Sequence, residues 1–474
     1  MLKRSLAAAL AVCMMVVMLT ACGKDPDAGD TTSTVSDTTS TVSTGMVESN
    51  VENNESGTPT ENNSTAQTGS KQTGGGKTSS TRSQTPQNVR LKVWGYSNDN
   101  ALLSAKKDFE KANPNVKLQV TTPAEYTVAQ LQMNIAANTQ PDIVMLDHVY
   151  ITSLGRSGSL LDLNKYGASS VKSKFISSCW KAVTSGNQVF GLPHDGNTIA
   201  LMYNKDMLNK TGMKAPTDYT SLVKVGKAMS STSPGKTPYT SPFFDTSGQG
   251  RLNWSAFVYF FWLWRCGGEI LSNDLSKAAF NSQKGIDALT MLTDLVKKER
   301  ICEGGSYKEA QFYNGDVGMI EMGNWNIPQL EKEDRNANFG VTLLPKLKDN
   351  VPQYSGLGLY AMGVTAKTKY PQQAADFVKY YCTNDEYQLA YAKQNNQLPC
   401  TNNALNNSYY NSNTWKVYKT QYGLSKYRPG VSGWDQIEAE IANAVNTAVQ
   451  GSKSPKAALD AAAAKVNKIL AQNK

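Results

Sequence analysis

Histidine is almost missing from this chain: two residues, His148 and His194, in 474. Each stands beside an aspartate, as Asp147-His148 and His194-Asp195, but a metal receptor needs more ligands than these pairs supply. No apolar run reaches the roughly 18 residues of a spanning helix, and mean hydropathy is −0.43, so a multi-span membrane protein is excluded. Familiar catalytic signatures are missing too. There is no Gly-x-Ser-x-Gly elbow, no P-loop and no His-Glu-x-x-His. The Gly-x-Gly at 356–358 is too isolated for a dinucleotide site. No run of Lys and Arg interleaves with aromatics, which argues against nucleic acid as a partner. The seven Cys are scattered too widely for a zinc ribbon or a disulfide framework.

What the chain does have is apolar bulk. Hydrophobic residues make up 40% of it, with 8 Trp and 22 Tyr, enough for two or three folded domains. Lys3 and Arg4 precede an apolar stretch, Leu6 to Leu19, of signal-peptide length. It ends in Leu19-Thr20-Ala21-Cys22-Gly23, which resembles the lipobox of bacterial lipoproteins. That resemblance implies removal of residues 1–21 and a lipid anchor on Cys22, with palmitate as an expected acyl group. An ordinary secretion signal with a chance Cys leaves export unchanged.

Residues 24–87 contain no Leu, Ile, Phe, Tyr or Trp. Such a stretch cannot bury enough apolar area to offset its ordering entropy, so 22–87 is expected to be a disordered tether. As a flexible coil it would reach on the order of 45 Å. The tether holds eight acidic and four basic residues, so the +9 of the whole chain becomes +11 from Asn88 onward. A basic surface suits anionic wall polymers, anionic lipid or acidic ligands, or is simply solvating. Of the Cys, Cys13 lies in the signal segment and Cys22 in the anchor. The other five could form at most two bridges, Cys266–Cys302 or Cys382–Cys400, and buried thiols are the simpler expectation.

From Arg90 the pattern alternates. A strand to Trp94, a helix from Ala101 to Ala112, a strand at Val116 to Val120, a helix at Val128 to Ala137 and a buried strand at Ile143 to Leu146 predict an α/β unit with a parallel sheet. Ligands of such sheets sit at the strand carboxyl ends, here Tyr96, Ser97, Asn98, Asp147 and His148. Further on, Gly191 to Thr198 reads as a turn-rich loop before a strand from Ile199 to Tyr203. Thr217 is the expected cap of a helix reaching Met229. Leu252 to Trp264 is apolar all round and predicts a core helix that also holds Trp254 and Tyr259. Val317 to Met322 is a strand that releases Trp325. Helices are expected at Gln372 to Cys382 and Gln436 to Val449, and a last one from Pro455 behind the Ser454 cap.

The supply of Trp and Tyr with Asp and Asn in turns suits a ligand that has apolar C–H faces and a rim of hydroxyls, since aromatic rings stack on the former and Asp or Asn side chains take the latter. Trp325 and Trp434 are the stacking candidates, unless Trp325 caps a core and Trp434 packs under its own helix. Asp195 and Asn197 are polar candidates that could equally be turn residues. Asp147 with Asp195 could serve a glycoside hydrolase, which needs two carboxyls about 5–10 Å apart, but 39 acidic residues always offer a pair.

The segments "QPDIVMLD" (140–147), "GLPHDGNTIALMYNKDML" (191–208), "FYNGDVGMIEMGNW" (312–325), "KTKYPQQAADFVKYY" (367–381) and the closing "VQGSKSPKAALDAAAAKVNKIL", in this order behind a lipobox, resemble the extracellular solute-binding protein family 1, the sugar-type receptors of ABC importers. The likeness implies a periplasmic-binding-protein-like fold: two α/β lobes joined by a hinge, with a ligand cleft between them. Lobe one would be 88–198 with 339–395, and lobe two 201–336 with 396–474. It also implies a monomeric, non-enzymatic carbohydrate receptor on the outer face of the cell membrane, without cofactor or metal, that serves ABC permease subunits. Trp325 and Trp434 would face the ligand from lobe two, with Tyr96, Asn98, Asp147 and Asp195 from lobe one. A cell-surface glycan adhesin is the alternative.

Overall fold

A computed structural model describes residues 88–96, 98–124, 127–241, 253–303, 309–331 and 338–472. The expected signal segment, tether and Cys22 lie outside these residues, as does Ser97. None of the described helices is long and apolar enough to cross a membrane.

The opening unit forms as the periodicity predicts. Strand Val89–Trp94 runs parallel to both Val116–Thr121 and Ile143–Asp147. Helix Asn100–Ala112 buries Ala101, Leu102, Ala105 and Phe109, and Asp99 caps it by accepting the Leu102 N–H. The six-stranded sheet built on this unit runs in the order 398–399, 192–197, 358–364, 143–147, 89–94, 116–121. Its last three strands to join pair antiparallel. The stretch from Leu192 to Asn197, expected as a loop, is therefore a strand. Antiparallel neighbours on both sides satisfy its backbone, which overrides the turn propensity of Asp-Gly-Asn.

A second sheet has four strands, in the order Phe339–Thr342, Ile199–Asn204, Val317–Gly323, Thr237–Thr240. Alternation sorts its side chains between two cores. Ala200, Met202, Ile320 and Met322 join a cluster with Tyr418. Ile199, Leu201 and Met319 join another with helices Asn253–Arg265, Trp434–Gln450 and Pro455–Gln472. Both faces are covered, so Val317–Gly323 is buried at every position.

The expected lobe boundaries differ from this pairing at two places. Phe339–Thr342 pairs with Ile199–Asn204 in the second sheet, whereas Leu398–Pro399 pairs with Leu192–Asn197 in the first. Strands of four and two residues carry no periodicity long enough to assign them a sheet. Another local difference is the cap of helix Tyr219–Thr232. It is Asp218, in a capping box with Ser221, and not Thr217. A carboxylate answers the orphan N–H groups with full charge, and the Thr217 hydroxyl instead donates to that carboxylate at 3.2 Å.

The chain passes between the sheets three times, and hydroxyls tie the passages together. The Thr198 and Ser425 hydroxyls are 2.6 Å apart. Ser355 Oγ accepts the Ile199 N–H at 3.2 Å and donates to the Ile199 carbonyl at 2.9 Å. Ser355 and Ser425 are also paired on short parallel strands.

Helix Asn253–Arg265 is apolar all round, as its sequence predicts, but its last residue is a fully buried cation. Arg265 reaches Glu321 Oε1 at 2.9 Å and the Pro345 carbonyl at 3.2 Å. Removing one partner of such a pair leaves an uncompensated charge in the core, whereas removing both does not. Arg265→Leu is expected to cost about 3–5 kcal/mol in urea denaturation. Arg265→Leu combined with Glu321→Leu should recover most of that loss.

Candidate functional site

Where the sheets meet, the carboxyl ends of first-sheet strands face helices of the second core across a cavity of about 320 Å³. Asp147 comes from the end of Ile143–Asp147, Asn197 from the end of Leu192–Asn197, and Gly358 and Tyr360 from one face of Gly358–Val364. Opposite stand Trp254 and Phe257, three residues apart on helix Asn253–Arg265, with Trp325 and Glu438. Arg428 enters from the third passage between the sheets.

Backbone space explains two of these placements. A Cβ on Gly323 would lie 2.2 Å from the Trp325 ring, so only glycine lets the indole fold back over its own strand. A Cβ on Gly358 would lie 2.1 Å from Asn197 Oδ1, so that glycine makes room for the amide.

The polar side of the cavity is an ionic bridge. Arg428 donates through Nη2 to Asp147 Oδ2 and through Nη1 to Glu438 Oε1 at 3.4 Å. Its guanidinium carbon lies 5.4 Å from the centre of the Phe257 ring. Asp147 Oδ1 accepts the Val149 N–H at 3.0 Å, capping helix His148–Arg156. His148 Nδ1 is 3.0 Å from the same oxygen. Burial would raise the Asp147 carboxyl, but Arg428 and then His148 outweigh it and hold the group well below the usual carboxylate range. Glu438 goes the other way. Burial pushes it up to about 7, and Arg428 only partly offsets this. The bridge has a neighbour in the Tyr150 hydroxyl, which donates to Asp435 Oδ1 at 2.5 Å.

A larger cavity, about 530 Å³, lies on the other side of the same passage and takes Lys426, Tyr427 and Pro429. Of this stretch only Arg428 lines the smaller one.

Of the residues singled out from the sequence, Asp147, Asn197 and Trp325 come together at the smaller cavity. Tyr96 is half-buried near Tyr360, its phenol pushed up by burial and by the Asp195 charge. Asn98 is exposed, and its carbonyl accepts from Gln394 Nε2 at 3.3 Å. Asp195 lies buried beneath the site. Trp434 does not face the cavity. It is 2% exposed and packs on Phe260 with ring centroids 5.9 Å apart. Gly433, at φ 76°, turns the chain so that Trp434 starts its helix on the face of Ile437 and Ile441. That three- and four-residue spacing was the available signal. Trp254, expected in the core, lines the cavity, whereas Tyr259 is fully buried as expected. Tyr360, Phe257, Arg428 and Glu438 were missed. Period-two alternation with Gly358 marks Tyr360, but nothing local marks Arg428.

The sequence profile of the bacterial extracellular solute-binding proteins matches residues 104–419. The chain belongs to that family. Among relatives of this solute-binding protein is the galactooligosaccharide-binding protein of Bacillus subtilis (strain 168), 23% identical over 406 residues, covering 82% of this chain and 91% of the relative. Similar solved structures include the cyclic alpha-maltosyl-1,6-maltose binding protein from Arthrobacter globiformis, with TM-score 0.72 and 23% identity over 81% of this chain and 99% of that one. The sugar-binding protein MalE from Xanthomonas citri follows at TM-score 0.71 and 18% identity, covering 81% and 98%. The solute-binding protein thus has the two-lobed fold.

Beneath the cavity, first-lobe carboxyls crowd together. Asp99 and Asp195 are both buried, and Asp195 Oδ1 has no hydrogen-bond partner among the described residues. Burial, then the charges of Asp99 and Asp147, push Asp195 up to about 8. The nearby His194 is pushed down to about 3 by burial, so it stays neutral and offers no counter-charge. A carboxyl raised in the folded state favours its protonated form there. Asp195 therefore weakens the fold progressively as pH rises from about 4 to about 8. Asp195→Asn should remove that penalty. In calorimetric melts the variant is expected to gain several degrees over the parent at pH 8.5, and little at pH 4.5.

Proposed function

We propose that this solute-binding protein captures a sugar or oligosaccharide between its lobes and delivers it to an ABC importer. The observation that carries the reading is the composition of one cavity at the lobe junction. Two indoles and a phenyl ring stand beside Asp147, Asn197 and Glu438. Rings of this kind take the C–H faces of a pyranose, and the carboxylates and amide take its hydroxyls. Relatives and structural neighbours named for galactooligosaccharides and for cyclic alpha-maltosyl-1,6-maltose support the same class. The protein acts as a receptor and not as an enzyme.

Three passages between the lobes, tied at Thr198, Ser355 and Ser425, suit a hinge. Closure around the sugar is then a population shift, and the closed form is what the permease subunits recognise. The lipobox at Leu19 to Cys22 supports export and lipidation of Cys22, which would hold a monomeric receptor at the outer face of the membrane.

Isothermal titration against neutral oligosaccharides tests the proposal. Micromolar binding is expected, and Trp325→Ala should weaken it at least tenfold, about 1.4 kcal/mol or more. Trp434→Ala should instead cost about 3–5 kcal/mol of stability, because it empties a core site. A panel with no binder, or full affinity in Trp325→Ala, would refute the assignment. Small-angle scattering that contracts on saturation supports closure, and an unchanged profile favours an adhesin.

A further inference from the structure

We propose that the cavity accepts uncharged saccharides and turns away their uronate counterparts, and that the Asp147–Arg428–Glu438 bridge sets this preference. The inference rests on the carbohydrate reading and narrows it. Among the described residues lining the cavity there is one cation, Arg428, against two carboxyls. Both terminal nitrogens of Arg428 are engaged, one with each carboxyl. Its Nε is buried away from the cavity surface and makes no hydrogen bond among the described residues. The Phe257 ring lies beside the guanidinium plane. An incoming carboxylate would find no cation free of a carboxyl partner there, but it would find the charge of Asp147 and, above about pH 7, that of Glu438 as well.

A hydroxyl meets the opposite situation. Glu438 is 5% exposed, and its second oxygen has no hydrogen-bond partner among the described residues. It can accept from a sugar O–H, whereas a uronate oxygen can only accept in turn. A buried acceptor facing an acceptor is a strong means of discrimination, because neither finds a donor. Repulsion between like charges grows in the same low-dielectric setting.

The +9 of the chain would point to an acidic ligand if it were concentrated at the site. It is not: the surplus lysines lie elsewhere, and the cavity itself carries no net positive charge. A basic exterior can draw anions to the surface without admitting them to the pocket.

The charged and titratable groups around Glu438 are Arg428 from the third passage, Asp147 from its strand, Asp435 on its own helix and Tyr150 from helix His148–Arg156. With Glu438 raised to about 7, the cavity gains negative charge between about pH 6 and pH 8. Rejection of an acid therefore strengthens as pH rises.

The experiment is titration calorimetry on the purified chain at pH 5.5 and 8.5. Maltotriose, β-1,4-galactobiose and lactose are screened first. The tightest binder is then paired with the same sugar oxidised to a carboxylate at its non-reducing C6. The uronate is expected to bind at least tenfold more weakly at pH 8.5, with a smaller gap at pH 5.5. In Glu438→Gln the gap should shrink and lose its pH dependence. Asp147→Asn provides a second variant, and thermal melts identify any variant that fails to fold. A uronate that binds as tightly as its neutral partner at both pH values overturns the inference and leaves the carbohydrate reading standing. An unchanged gap in both folded variants also overturns it. If no sugar of either kind binds, the carbohydrate reading falls and takes this inference with it.

Discussion

Three buried hydroxyls at the junction of the sheets set where everything else can be. Thr198, Ser355 and Ser425 each sit on a different passage of the chain, and each bonds to another passage. Asn197 directly precedes the first, Gly358 and Tyr360 follow the second within five residues, and Arg428 follows the third by three. The polar half of the cavity is thus built from residues next to the crossing points. Their mutual distances depend on backbone angles at the junction and not on the interior of either sheet. A small rotation there changes the cavity, while the cores on either side stay packed.

Two arginines show how similar ionic contacts come to differ in role. Arg265 and Glu321 are sealed within one core and join a helix to a strand of the second sheet. Arg428 joins Asp147 of the first lobe to Glu438 of the second at the edge of an open space. The first pair restores what burial takes from two charges and serves the architecture. The second holds opposing walls of a site together, and its members remain within reach of whatever enters.

The parts of the fold with long periodicity were legible in the sequence. The opening strand–helix–strand–helix–strand unit, helix Asn253–Arg265 and the C-terminal helices follow from spacing that extends over two turns or more. Short strands at 339–342 and 398–399 pair differently from what the expected lobe ranges imply, because four or two residues hold no such record. Of the residues lining the cavity, Asp147 was singled out because strand ends are where parallel sheets meet ligands, Asn197 as a polar residue of a turn-rich stretch, and Trp325 because a strand ending in Gly released it. Trp434 misled because an aromatic at a helix start can face either way. Its alignment with Ile437 and Ile441 decided in favour of the core. Arg428 was invisible because its partners lie 281 and 10 residues away, in two different lobes.

The five Cys of the folded part make no disulfide among the described residues, and all are buried. Cys179 and Cys400 both approach the Tyr422 hydroxyl, at 3.0 and 3.5 Å, deep under the first sheet. In the folded chain packing keeps these thiols from oxidants and from one another's reach by way of solvent. Once folded, the same sulfurs become an internal stopwatch. An alkylating reagent reaches them only when the core opens, and its slow uptake times the rarest excursions of the molecule.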